Sequence, residues 1–182
     1  MQENSFLFLR HGETDWNSRG LAMGQKDIPL NSIGISQALE AAKILKKFTI
    51  EHIATSSLVR AEETARIVNQ TLNASISIHD ELRECSWGDL EGQARDNIVT
   101  RKDWLLGACP PNGESFETFK NRVLHKIEEL LILHPTNLLV VAHGGVFLAL
   151  QAIFGTNTSS SASNCSVLRF SLAQSVSVLP FC

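Results

Sequence analysis

Leu138-Leu139-Val140-Val141-Ala142-His143-Gly144-Gly145 is the stretch on which the fold turns. Residues 138–142 carry no polar break, so they read as a strand buried on both faces, the pattern of a central strand in a parallel sheet. The apolar run then stops at a histidine and two glycines. The same punctuation closes Ser5-Phe6-Leu7-Phe8-Leu9-Arg10, which is followed by His11-Gly12. In open parallel sheets, ligands sit beyond the C-terminal ends of the strands. Two strands ending this way would bring two imidazoles to one edge, where a histidine can act as nucleophile, acid–base group or ligand.

Outward from these strands the chain alternates. Residues 13–32 are mostly polar and read as a long loop. Ala38, Ala41, Ala42, Leu45 and Phe48 recur at helical spacing behind an Asn31 cap. Residues 52–55 form a short second strand. Leu58, Ala61, Ala65, Val68 and Leu72 share a helix face, with Arg60, Glu62, Glu63 and Arg66 placed off it. Residues 75–79 alternate as a third strand. The polar segment 80–114, with Trp87, Trp104 and the breaker Pro110-Pro111-Asn112-Gly113, has room for one or two short helices. Phe116, Phe119, Val123, Ile127 and Leu130 mark a long helix that stops before Pro135. A helix over 145–154 is closed by Gly155. A Ser-rich loop covers Thr156–Asn164, and Val167–Leu172 and Ser175–Leu179 are closing strands. The order predicts one α/β domain over residues 1–182, a three-layer α/β/α sandwich on a mostly parallel sheet.

Composition narrows the function. In 182 residues, 43% are hydrophobic and 19% charged, the balance of a folded globule. Lys plus Arg is 16 against 19 Asp plus Glu, a net charge of -3 that argues against a nucleic-acid partner. No apolar run approaches the ~20 residues of a membrane span, and Met1–Ser5 lacks a basic leader region. Cys85, Cys109, Cys165 and Cys182 form no C-x-x-C, so reduced thiols in a cytoplasmic protein are expected. The histidines make no H-E-x-x-H and no i,i+4 pair, so no metal site is expected. His52, His79, His125 and His134 read as packing or surface residues.

Arg10-His11-Gly12-Glu13-Thr14-Asp15-Trp16-Asn17 resembles the R-H-G-E-[ST]-x-W-N signature of the histidine phosphatase (phosphoglycerate mutase-like) superfamily. Asp27-Ile28-Pro29-Leu30 with Gly34 and Gln37-Ala38, Ser56-Ser57-Leu58-Val59-Arg60-Ala61-Glu62-Glu63-Thr64-Ala65, Leu82-Arg83-Glu84, Trp87-Gly88-Asp89-Leu90-Glu91-Gly92, Asn112-Gly113-Glu114-Ser115 and Val141-Ala142-His143-Gly144-Gly145 follow in the family's order. The resemblance spans residues 6–172.

It implies an enzyme of phosphoryl chemistry. His11 would attack phosphorus and become a phosphohistidine, with a backbone carbonyl fixing its other nitrogen. Arg10 and Arg60 would hold phosphoryl oxygens in guanidinium forks. Asn17 would add a hydrogen bond, His143 a second imidazole, and Gly24 and Gly144 close backbone contacts. Glu84 would protonate the leaving oxygen and then activate water. No metal or other cofactor is implied. Each residue also has a structural reading. Arg60 could pair with Glu62 or Glu63, Glu84 could be a solvated carboxylate, Asn17 a turn residue, and Glu13 a loop strut.

The superfamily holds phosphatases and mutases. Met23 stands before Gly24 where the mutase branch has a hydroxyl residue, Cys85 replaces a basic residue after Glu84, and Gly145-Val146 follows His143-Gly144. Arg101-Lys102 is a loose substitute for the mutase's arginine pair, and Arg95 a candidate rim cation. These departures favour hydrolysis of a small phosphorylated metabolite; the alternatives are a cofactor-dependent mutase and a non-catalytic phosphate-binding module. Asp103-Trp104, Pro111 to Ser115, Phe119 and Arg122-Val123 are similar to the alpha-ribazole and broad-specificity phosphatase branches. An uncovered edge at the closing strands would suit a homo-oligomer.

Overall fold

The computed structural model describes residues 5–95, 101–155, 162–171 and 175–178. The strands are β1 (Ser5–Arg10), β2 (His52–Ser56), β3 (Ser75–His79), β4 (Leu138–Ala142), β5 (Val167–Ser171) and β6 (Ser175–Val178). The helices are α1 (Asp15–Ser18), α2 (Ser32–Leu45), α3 (Val59–Leu72), α4 (Arg101–Leu105), α5 (Phe116–Leu133) and α6 (Gly144–Ile153). The strands form one sheet in the order β3-β2-β4-β1-β5-β6. β3, β2, β4 and β1 run parallel, β5 pairs antiparallel with β1, and β6 pairs antiparallel with β5. The mostly parallel α/β architecture expected from the sequence is therefore present.

Side-chain alternation explains the layers. Phe6 and Phe8 of β1, with Leu138, Val140 and Ala142 of β4, pack on α5 and α6 around Phe119, Phe147 and Phe170. Leu7 and Leu9, with Leu139 and Val141, pack on the opposite face against Ala38, Ala41, Ala42 and Leu45 of α2 and Ala65 and Val68 of α3. Successive residues of one strand thus serve opposite cores, which is why these runs are continuously apolar. β4 and β1 lie side by side with Arg10 opposite Ala142. His11 and His143, one residue further on, emerge together at the C-terminal edge.

The structure corrects two expectations. Residues 13–32 are not loop throughout: Thr14 and Asn17 close a capping box on the one-turn helix α1. Arg60 is not on the outer face of α3, since it and Thr64 are buried with Ala61 and Ala65. The short helix expected in 80–114 is α4, and two 3-10 turns, Asp80–Leu82 and Gly88–Leu90, precede it. Asn31 caps α2 as expected, its side chain accepting the Gly34 N–H. Residues 156–161 of the Ser-rich loop, Leu172, Leu179, Cys182 and the side chain of Arg101 lie outside the described residues. No described helix is long and apolar enough to cross a membrane.

Candidate active site

Two strand ends and one helix start build the centre. The His11 N–H donates to the Ala142 carbonyl at 2.9 Å, which ties the exit of β1 to β4. His143 caps α6, and the two imidazole rings lie 5.2 Å apart. His11 Nδ1 is 2.7 Å from the Gly12 carbonyl. A carbonyl only accepts, so Nδ1 carries the proton and Nε2 presents a bare lone pair. Gly12 permits this turn because a Cβ there would lie 2.5 Å from the Gly34 carbonyl oxygen of α2.

Arg60 enters from the first turn of α3. It is fully buried, and neither Glu62 nor Glu63 holds it. Its guanidinium donates to the carbonyls of Gly24 and Lys26, each at 2.8 Å. Glu62 instead pairs with Arg66, and Glu63 accepts the Leu30 N–H. Burial pulls Arg60 down to about 10, against the carboxylates of Glu84 and Asp27 that push it back up, so it stays cationic at neutral pH. Gly24 has φ +51, and a Cβ on it would fall on the Glu91 carboxylate. That carboxylate accepts the N–H groups of Gln25 at 2.9 Å and Trp87 at 3.2 Å, joining two loops of the site. Arg10 donates to the Ala162 carbonyl at 2.6 Å.

Asn17 does two jobs. Its Oδ1 completes the capping box, while its Nδ2 is buried with no partner. Asn164 fastens it from behind, donating to the His11 carbonyl at 2.9 Å and to Asn17 Oδ1 at 3.3 Å. Glu13 is a strut, accepting from Asn31 Nδ2 at 3.0 Å.

Glu84 is not a solvated loop carboxylate. Oε1 accepts the Cys85 N–H and Oε2 the Gly145 N–H near the start of α6, both at 3.0 Å. Its backbone is braced by Arg122, which donates to the carbonyls of Glu81 at 2.8 Å and Arg83 at 3.1 Å and pairs with Glu114 at 2.8 Å. Glu114 in turn accepts the Ser86 N–H. The Asn-Gly-Glu-Ser motif thus acts at a distance, by holding the loop that carries Glu84.

These elements enclose a cavity of about 280 Å³ walled by Arg10, His11, Asn17, Gly24, Glu84 and Gly144, with Met23, Trp87 and Leu148 as its apolar side and Arg95 on its lining. Arg60 and His143 sit behind the wall: both are fully buried, the His143 ring lies 5.2 Å from that of the wall residue His11, and Arg60 is close enough to depress both imidazoles. Lys102 is exposed on α4 and lies off this cavity. Among the described residues, the buried side-chain nitrogens without a hydrogen-bond partner are Arg10 Nε, Asn17 Nδ2, Arg60 Nε and His143 Nδ1. All belong to residues singled out by sequence. Buried polar nitrogens without a partner cost free energy, and all four lie at or behind the wall of this cavity. Sequence reading gave no role to Ser56, Thr64, Glu91, Ala162 or Asn164. Only the motif positions of Ser56, Thr64 and Glu91 hinted at them, since a supporting residue carries no chemistry of its own to recognise.

The centre also sets acid stability. Burial, then Arg60, holds both His11 and His143 well below the usual imidazole range. As pH falls through about 6.5 the unfolded chain takes up two protons that the folded protein refuses, so stability present at neutral pH is lost toward acid. The limiting slope for two excluded protons is about 3 kcal/mol per pH unit below that point. Urea unfolding at pH 7.5 and pH 5.5 checks it; equal stabilities would show that the rings charge freely in the folded state.

The chain matches the family model of the histidine phosphatase superfamily (branch 1) over residues 6–178. It is 36% identical over 143 residues to the uncharacterized phosphatase PhoE of Bacillus subtilis, covering 78% of this chain and 72% of that protein. It is 35% identical over 154 residues to the adenosylcobalamin/alpha-ribazole phosphatase of Escherichia coli, covering 79% and 75%. Mycobacterial glucosyl-3-phosphoglycerate phosphatase in complex with VO3 superposes with a TM-score of 0.82 at 28% identity, over 91% of this chain and 92% of that one. The motifs, the sheet and the matched span agree: this chain belongs to the histidine phosphatase superfamily, branch 1.

Proposed function

We propose that the protein hydrolyses small phosphomonoesters through a phosphohistidine at His11. Arg10 Nε, Asn17 Nδ2, Arg60 Nε and His143 Nδ1, all buried and unpartnered at or behind the cavity that His11 lines, carry this reading together with the bare His11 Nε2. A phosphoryl group supplies the acceptor oxygens those nitrogens lack. His11 Nε2 attacks phosphorus, the P–O ester bond breaks, and protonated Glu84 gives its proton to the leaving oxygen. Water then attacks the phosphohistidine, Glu84 takes the proton, and the P–N bond breaks to release phosphate. The two arginines supply the positive charge, so no metal is invoked. The PhoE and alpha-ribazole phosphatase relatives support hydrolysis, while relatives named probable phosphoglycerate mutase GpmB, 34% identical, support the mutase alternative.

Phosphate release from p-nitrophenyl phosphate and a panel of phosphorylated metabolites tests this, with and without EDTA and beside a 3-phosphoglycerate mutase assay. Release that survives EDTA is expected. Transfer between phosphoglycerates without comparable release would establish a mutase, and silence in every assay would leave a very selective phosphatase or a binding module. Gly145→Ala gives a geometric check. A Cβ there would fall on the Glu84 carboxylate, so Glu84 must move. Displacement of a catalytic group by about 1 Å costs roughly 100-fold, and that fall in turnover is expected with the fold retained. Unchanged turnover would remove Glu84 from the mechanism.

A further inference from the structure

His143 has one ring nitrogen accounted for and one not. Nε2 lies 2.7 Å from Ser56 Oγ, and Nδ1 is buried without a partner. Burial keeps the ring neutral, so it carries a single proton, and the nitrogen that holds it decides whether Nδ1 is a donor or an acceptor.

The bonding of Ser56 answers this. Its hydroxyl is fully buried and accepts the Leu58 N–H at the start of α3 at 3.2 Å. Among the described residues, the acceptor left for the hydroxyl proton is His143 Nε2. If Nε2 carried the proton, the ring would donate to Ser56 and the serine proton would have nowhere to go. A bare Nδ1 would then leave a buried lone pair close behind the cavity proposed to take an anion, where it could only repel one.

We propose that Ser56 is a positioning residue: by donating to His143 Nε2 it fixes the Nδ1–H tautomer and aims a neutral N–H at the phosphoryl oxygens. The two histidines then share one tautomer and present opposite atoms. His11 spends its Nδ1–H on the Gly12 carbonyl and offers a lone pair. His143 spends its Nε2 lone pair on Ser56 and offers a proton. Nucleophile and electrophile are assigned by their outer hydrogen bonds rather than by different protonation, so both rings work in the neutral state. The catalytic consequence rests on the phosphatase reading; the tautomer does not.

The test is a long-range 1H–15N spectrum of the full-length, 15N-histidine-labelled protein at rest, with His143 assigned by its loss in His143→Asn. A protonated Nδ1 and bare Nε2 are expected. Ser56→Ala should release the constraint, so that the Nε2–H form appears and kcat falls about tenfold, part of what a lost transition-state donor costs. Ser56→Thr, which keeps the hydroxyl, should restore both. An Nε2–H ring in the unaltered protein would overturn the proposal, as would a Ser56→Ala spectrum unchanged from it. If no ester is turned over, the phosphatase reading fails while the resting spectrum still decides the tautomer.

Discussion

His11→Ala should reduce phosphate release by at least about 10⁴-fold, the scale on which loss of a covalent nucleophile is felt. Nothing in the cavity can substitute. His143 is the nearest imidazole, yet it is fully buried and its Nε2 is engaged by Ser56. Arg10, Arg60 and Asn17 remain after the substitution, so inorganic phosphate should still bind, and calorimetry should find it within a few-fold of the unaltered affinity. That combination, binding kept and turnover lost, separates a nucleophile from a residue that merely shapes the pocket. Acid-quenched protein incubated with 32P-labelled ester should carry an acid-labile label on the unaltered chain and none on His11→Ala. Residual turnover above about 10% would mean that water attacks the ester directly, and the phosphohistidine route would be abandoned. The variant strands the Gly12 carbonyl that His11 Nδ1 satisfied, at a cost of about 1–3 kcal/mol, so unfolding should be followed alongside.

How much of this was legible in the sequence follows from what each residue contributes. The apolar runs 6–9 and 138–142 announce their strands because both faces of each are buried, and their His-Gly endings announce the catalytic edge. Arg60 was legible through its motif and misleading through its helix. Amphipathic reasoning places a guanidinium outside, whereas α3 turns it inward because the Gly24 and Lys26 carbonyls need its donors. The cap of α1 was hidden because Thr14 and Asn17 look like ordinary loop polars until they bond each other. Least legible were the long-range supports. Asn164 reaches His11 and Asn17 across almost the whole chain, and Arg122 braces Glu84 from α5. Local periodicity carries no trace of a contact closed only by the fold. The same limit applies to Glu91, whose carboxylate gathers N–H groups from the loops at Gln25 and Trp87.

Glu84→Gln should separate esters by their leaving groups. The amide keeps the size of the carboxyl and loses the transferable proton, so departure of an alkoxide becomes difficult while that of a nitrophenolate needs little help. The difference belongs to the first half-reaction, and kcat/KM reports the steps through departure of the alcohol. For an alkyl phosphate kcat/KM should fall about 10³-fold, within the range of general acid catalysis, and for p-nitrophenyl phosphate by less than about tenfold. The second half-reaction loses its base in the same variant, whatever the ester. Hydrolysis of the common phosphohistidine should then limit kcat for the activated substrate, and a stoichiometric burst of nitrophenolate should precede a slow steady state. Two roles are thus read from one substitution, the acid in the leaving-group dependence of kcat/KM and the base in the burst. An equal fall in kcat/KM for both esters would deny Glu84 the acid's role. Absence of a burst despite a slow kcat would deny it the base's. The arrangement in the cavity makes both roles available to one group: Glu84 is held by the N–H groups of Cys85 and Gly145, each on a different oxygen, which leaves a lone pair on each to receive or return the proton.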